Sequence, residues 1–505
     1  MSDATPPHPQ GPPAGDLPPL GGWAGGPPPG ALPASPPVAS TPQPPTEVPP
    51  AWTPPPAEDA SGGPGKGALI AAIAAVIAVI LLAGGLAIVL ADSRDQPRVQ
   101  ATPASTTAAP ATTAPDGLGD IIGEDPAPGP STSAPSSTAP ADPDTQTADT
   151  EATVDDIVAF IETTRGAKFT TRPEVRFEDD AKFEEDLLAD FDEQLDELEQ
   201  DEVLYHALGL LPADTSLADT LKSALGLGVV GFYDPETDEM VVRGTTLTPY
   251  VRTVLAHELT HAFDDQLFNL DRPELDDAAD ETGYGFTVLT EGSASFVERA
   301  YRDQMSPSDQ AKASAEELQA GSDPAIFDIP LVILTLLTAP YSQGLELVKS
   351  VVDDGGVKAI PDAFGTPPTT SEEAMSPEKY ASGEGSVKVP KPKTDGGAEE
   401  VDSGVFGQIG FTALLTNGLE LDDPAAGTEG WAGDSYTTWT DENDRACVAI
   451  DTKLDSAADA GDLAEELDNW AAGAPVEATV TTKGDTVNLN SCATEASSGG
   501  AASGV

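Results

Sequence analysis

The 505-residue chain is short of positive charge, sulfur, imidazole and aromatic rings, and each shortage excludes something. Only 24 side chains are basic against 86 acidic, a formal net charge of −62. A polyanion would be repelled, so no nucleic-acid partner is expected. The plain reading of the excess is a solvated acidic surface, which also attracts cationic peptides and divalent ions. The two cysteines, Cys447 and Cys492, lie in no C-x-x-C or thiol-nucleophile context. A structural disulfide between them is expected, which requires an oxidising compartment. Aromatics make up only 5% of residues while prolines number 49 and glycines 48, so part of the chain cannot pack a core.

Residues 1–66 carry most of that bias (PPHPQGPPAG, GGPPPGALPASPP) and read as a disordered Pro/Gly-rich tail. Residues 67–91, GALIAAIAAVIAVILLAGGLAIVLA, contain no charge. At about 1.5 Å per residue this is long enough for a bilayer core of about 30 Å, and it reads as one transmembrane helix. It begins too late in the chain for an ordinary cleaved signal peptide. Residues 92–150 form a Ser/Thr/Pro/Ala-rich linker of the kind that holds a domain off an outer surface. Arg94 and Arg98 outnumber Lys66 across the span, which opposes that orientation. The stalk and the cysteine pair favour an extracytoplasmic domain all the same.

From about residue 151 the composition is that of a folded α+β domain, running to about 494 and followed by a flexible 495–505. Val154, Ile157, Val158 and Ile161 recur at helical spacing, and PEVRFE alternates as a strand. GVVGFYD and MVVRG flank PETDE as a β-hairpin. PLVILTLLTAPY is broken by proline and reads as part of a buried helix pair, too short for a second membrane span. Further on, TTWTDENDRACVAIDTKLD suggests two strands around an acidic turn, and VEATVTTKGDTVNLNSC two terminal strands.

Only four histidines occur, and two of them lie in LAHELTHAFDDQ. Thr248 followed by Pro249 is a helix start, so this stretch is predicted helical. Residues four apart on a helix share a face, and His257 and His261 can therefore clamp one ion. Glu258 is turned about 100° away and can act on a water beside that ion. This is the HExxH zinc-hydrolase pattern, in which the ion lowers the pKa of a water and the glutamate takes its proton. No histidine follows His261, so the remaining protein ligand must be a carboxylate. Asp264 and Asp265 are too near along the helix. Glu291 in FTVLTEGSASFVERAY lies among Gly292, Ser293, Ala294 and Ser295, small residues that would let its helix approach the first closely. Glu298 is the rival.

HELTH followed after about thirty residues by a TEGSA helix resembles the gluzincin metallopeptidases. The resemblance implies a zincin-like catalytic domain with an active-site helix and a small mixed sheet, Zn²⁺ as cofactor, and a peptide or protein substrate, which GVVGFYD or MVVRG would pair as an edge strand unless that hairpin serves structural pairing alone. It implies His257, His261 and Glu291 as metal ligands and Glu258 as general base. A narrower likeness is to a group of prokaryotic proteins with LAHExTHAxxDQxFxL, whose downstream elements have counterparts here in APYSQG, PPTTSEEAMSPEKY and GWAGDSY. The chain departs from that group at Ser376, where the group carries histidine, and at Ser435, where it carries arginine. A donor for the developing oxyanion would then come from elsewhere, and Tyr341, Tyr380 and Tyr436 are candidates, each also explicable as packing. Ser295 is a candidate partner for a ligand histidine. The reading that competes with a membrane-anchored zinc peptidase is a catalytically inactive zincin-like shell used for binding or sensing. Hydrolysis of a bond other than a peptide is a third, because the motif does not fix what the water attacks.

Overall fold

A computed structural model of the chain describes residues 143–494, apart from 190, 277–279 and 420–423. The tail, the apolar span 67–91, most of the linker and residues 495–505 lie outside the described residues. The architecture is mixed α and β, with two small sheets among helices. Helix α1 (Pro143–Arg165) begins inside the stretch read as linker. Its Val154, Ile157 and Ile161 are buried, as their spacing predicts.

The first sheet has the order β1-β3-β2, from β1 (Val175–Glu178), β2 (Gly231–Asp234) and β3 (Glu239–Arg243). β2 and β3 form the expected antiparallel hairpin, while β1 joins β3 in parallel. Alternation along β3 divides two cores. Met240 and Val242 face α1 and the next helix but three, whereas Val241 faces α2 (Asp180–Leu187), α3 (Leu195–Ala207) and α4 (Leu217–Gly228). Helices α2 and α3 are separate elements. A 3₁₀ turn at Phe191–Gln194 separates them and buries Phe191 in the second of those cores.

Helix α5 (Pro249–Phe268) is the one that Met240 and Val242 meet. Thr248 caps it, accepting from the Val251 N–H, and Pro249 takes the first turn, a start whose hydroxyl cap is typically worth about 1 kcal/mol. Every residue from Thr253 to Asp264 is buried. The short α6 (Pro273–Asp276) leads into α7 (Thr282–Gln304), and α8 (Pro307–Ala320) follows.

Leu331–Gly355 is one helix, α9, where a pair had been expected. Pro340 sits inside it, a position that ordinarily costs about 3 kcal/mol. Packing on both sides of the proline supports the turn: Leu337 and Ile333 lie in one core and Leu347 and Val348 in another. By length and composition α9 is apolar enough to cross a membrane, though much of it is buried within the fold. Gly292 of α7 and Gly344 of α9 meet backbone to backbone, where a methyl on either would overlap the other. The small residues beside Glu291 therefore serve two neighbours. Gly292 admits α9, and Ser293 faces α5.

After α10 (Ile360–Gly365), α11 (Ser371–Met375) and α12 (Pro377–Ser382) comes the second sheet, of order β4-β5-β6-β8-β7 and antiparallel throughout. Its strands are β4 (Glu400–Gly404), β5 (Trp431–Thr440), β6 (Ala446–Leu454), β7 (Val476–Lys483) and β8 (Thr486–Ala493), with α13 (Gly407–Gly418) and α14 (Ala457–Gly473) packed against it. A disulfide joins Cys447 of β6 to Cys492 of β8, directly opposite in the ladder.

Glu281, which precedes α7, ties that helix to α11 and α13. Its carboxylate accepts from the Ser371 N–H and fills the space beside Gly407, whose φ is +73°. Burial raises its pKa to about 8, against hydrogen bonding from Ser371. A carboxyl raised on folding keeps its proton in the folded state and loses it in the unfolded one, so stability falls as pH rises from about 4.5 to about 8. Glu281→Gln is expected to flatten that decline, by at most a few kcal/mol at the alkaline end. Thermal midpoints of both proteins across the range measure it, and parallel curves would refute it.

Candidate metal centre

Helices α5 and α7 pack side by side and bring His257, His261 and Glu291 together. One ligand atom from each lies within 4.8 Å of the others. His257 Nε2 is 3.1 Å and His261 Nε2 3.6 Å from Glu291 Oε2. Donors bound tetrahedrally at 2.0–2.2 Å stand about 3.4 Å apart, so this spacing suits one ion. The two imidazoles meet edge to face, 4.8 Å between centroids.

Among the described residues, His261 Nε2, Glu291 Oε1 and both oxygens of Glu258 are buried and make no hydrogen bond. Four orphaned polar atoms at one point would each cost about 1–3 kcal/mol, a penalty that a bound cation removes from the ligand atoms. Two nitrogens and a carboxylate, with a further carboxylate beside them, suit zinc.

The charges are strongly coupled. Burial disfavours the His257 imidazolium, but Glu291 and Glu298 outweigh it and raise the pKa to about 10. Burial pushes Glu291 up, yet His261 and His257 bring it below the usual carboxylate range. Burial raises Glu258 to about 8, with the charge of His257 opposing and those of Glu291 and Glu298 assisting.

Glu298 lies outside the ligand group. Its Oε2 is 3.2 Å from His257 Nδ1, its Oε1 is 3.6 Å from Arg302, and Arg302 in turn binds Glu317 of α8 at 2.7 Å. Carboxylate contact at the second ring nitrogen orients an imidazole and strengthens it as a ligand. Seven residues from Glu291 is nearly two turns, so a shared stripe was legible in the sequence, though the roles were not. Ser295 does not act as such a partner; its Oγ is buried without a hydrogen bond among the described residues.

Of the three tyrosines, Tyr341 alone reaches the centre. It packs 5.9 Å from the His257 ring, and its hydroxyl hydrogen-bonds Glu291. Burial and the charges of Glu291 and Glu258 raise its pKa well above that of a free phenol. Tyr380 donates to the Thr366 carbonyl and Tyr436 to Asp402. Ser376 caps α12, and Ser435 lies in β5 opposite Asp451.

Strand β2 runs beside Glu258, with Gly231 so near that a β-carbon there would touch Glu258 Cγ and Val254. Among the described residues β2 is an edge, paired only to β3. The Arg243 N–H donates to the Val230 carbonyl. Alternation then puts Phe232 in a bonded pair with Val241 and turns the amides and carbonyls of Gly231 and Tyr233 outward.

Sequence reasoning missed a buried clamp beneath the centre. Arg165, the last residue of α1, meets Asp264 of α5 at 2.7 Å and donates to Ser293 of α7 at 2.8 Å. Ser293 donates to Asp264 at 2.5 Å, closing the triangle. Arg165 joins the helices that carry His257, His261 and Glu291 from a third, a contact spanning 128 residues that no local pattern signals. Arg165→Met is expected to cost about 3–5 kcal/mol because it strands Asp264 without its counter-charge. Urea unfolding measures it, and Arg165→Met/Asp264→Leu is expected to recover most of the loss. A single variant within 1 kcal/mol of wild type, a threshold well below the usual range, would remove the clamp.

Residues 394–497 match a family model described as a domain of unknown function (DUF8575). The match spans the second sheet with α13 and α14, and leaves His257, Glu258, His261 and Glu291 outside it. No curated protein and no solved structure matches the chain.

Proposed function

We propose that the chain is a zinc-dependent metallopeptidase, anchored by residues 67–91 with residues 151–494 on the extracytoplasmic side. The observation that carries this reading is the convergence of His257, His261 and Glu291 beside a buried, unbonded Glu258. Those three residues would hold the ion, which would supply a Lewis acid and lower the pKa of a water. Glu258 takes the proton of the attacking water. It is suited to that as a base because burial has raised its proton affinity. The edge of β2 is unpaired by any described strand but buried, so an extended peptide would add to it through Gly231 and Tyr233 once the site opens, which favours a polypeptide over a compact substrate. Tyr341 is the phenol nearest the centre and the candidate donor to the developing oxyanion. The Cys447–Cys492 disulfide supports the extracytoplasmic placement.

A second reading, a zincin-like shell that holds metal without turnover, draws on the closure of the site. Glu258 is 0% exposed. Peptidase action requires an opening of the elements around α5.

The full-length chain in detergent decides between them, by metal analysis together with digestion of casein and a peptide library. One zinc per chain and cleavage abolished by a chelator are expected. Zinc without cleavage selects the second reading, and a chain that binds no zinc refutes both.

A further inference from the structure

The two edges of the five-stranded sheet are built differently. β4 is five residues long and broken by a register shift between Glu400 and Asp402. Such devices blunt an edge against pairing with another chain. β7 has none of them. It runs eight residues, VEATVTTK, in unbroken register with β8, without proline and with its only charges at Glu477 and Lys483. Among the described residues β8 is its only strand neighbour.

Its phase is fixed by the turn. Lys483 and Thr486 pair across the two-residue loop Gly484-Asp485, with Gly484 at φ +65°. In a two-residue hairpin of this kind the residues flanking the loop form a hydrogen-bonded pair. Thr481, Thr479 and Glu477 therefore also bond to β8. The amides and carbonyls of Val476, Ala478, Val480 and Thr482 point away from the sheet.

We propose that this edge pairs with β7 of a second copy of the chain, antiparallel about a two-fold axis at Val480. The sequence is self-complementary in that register. Glu477 falls opposite Lys483 of the partner, and Lys483 opposite its Glu477. Thr479 meets Thr481, Val480 meets Val480, and Ala478 meets Thr482. Opposed residues lie on one face of a sheet, and the alternation of burial agrees. Val476, Ala478 and Val480 pack partly against the core, while Glu477, Thr479, Thr481 and Lys483 are exposed. Moving the axis by one residue, to Thr479 or Thr481, shifts the pairing by two, which keeps the faces matched but separates the charges. The backbone groups of Ala478, Val480 and Thr482 supply the attachment, and the ion pairs select the register. Glu477 also meets Arg445 of its own chain at 2.9 Å and is 67% exposed there, so it has room for a second cation. The interface is isologous and closes as a dimer.

The test uses the full-length chain in detergent at about 0.15 M salt, with the mass of the protein component followed by light scattering across a dilution series. A concentration-dependent dimer is expected. Glu477→Lys and Lys483→Glu should each weaken dimerisation about tenfold, since each turns two attractive pairs into repulsive ones. The double variant Glu477→Lys/Lys483→Glu should return it to within about threefold of wild type. Val480→Pro removes an outward amide and none of the ladder to β8, so it should be a folded monomer with a near-wild-type melting temperature. A wild type that stays monomeric, or a dimer indifferent to Val480→Pro and to both charge reversals, overturns the proposal.

Discussion

Glu258→Gln is expected to lower peptide cleavage by about 10²–10⁴-fold while zinc stays bound at full stoichiometry. The substitution keeps the size of a side chain that is 0% exposed, so it opens no cavity. It removes only the capacity to take a proton. The proposed ligand atoms belong to His257, His261 and Glu291, which the change does not touch. A purely structural metal site gains nothing from the Glu258 carboxylate, and its loss should then stabilise the fold by relieving a buried, unbonded charge. The pH profile adds a separate check. As the proposed general base Glu258 would act in its deprotonated form, and burial raises its pKa to about 8. A bound dication lowers it from there. Activity should thus rise with pH along an acid limb whose midpoint lies below 8, and Glu258→Gln should lose that limb in whatever residual rate remains. Cleavage by Glu258→Gln at the wild-type rate would remove the mechanism.

The sequence made part of this centre legible because some of its determinants are local. Thr248 and Pro249 specify where α5 starts, and a helix that starts there must put His257 and His261 on one face. Glu291 was reached from the absence of any later histidine, and the structure puts its Oε2 3.1 Å from His257 Nε2 and 3.6 Å from His261 Nε2. Contacts made through space were not legible. Arg165 acts at Asp264 and Ser293 across three helices, and helical spacing carries no information about which helix meets which. Pro340 misled for a related reason. Its local cost argued for a break in the helix, and packing of Leu337 and Leu347 into neighbouring cores overrides that cost. The glycine at 292 was read as room for α5, whereas the partner that needs the room is Gly344 of α9. Of the two hairpin strands offered for substrate, the order β1-β3-β2 leaves β2 on the outside beside Glu258.

Glu291 and Glu298 lie seven residues apart on α7, and their removal should have unequal consequences. Glu298→Ala takes away the carboxylate 3.2 Å from His257 Nδ1 but leaves every ligand atom in place. A loss of about 10–100-fold in zinc affinity follows for a partner that orients a ligand. Glu291→Ala deletes a ligand and should exceed that range, leaving no stoichiometric zinc after dialysis. The protons move differently as well. In the metal-free protein His257 is held protonated chiefly by Glu291 and Glu298 against burial, with a pKa of about 10. Zinc must displace that proton, so wild-type affinity should weaken as pH falls below about 10, by up to tenfold per unit. Removing either carboxylate makes the proton easier to displace and should shallow that slope near neutral pH, even though both variants bind zinc more weakly. Competition with a chromophoric chelator at several pH values measures both quantities. Full zinc retention by Glu291→Ala would show that the carboxylate ligand lies elsewhere, and a greater loss in Glu298→Ala than in Glu291→Ala would exchange their roles.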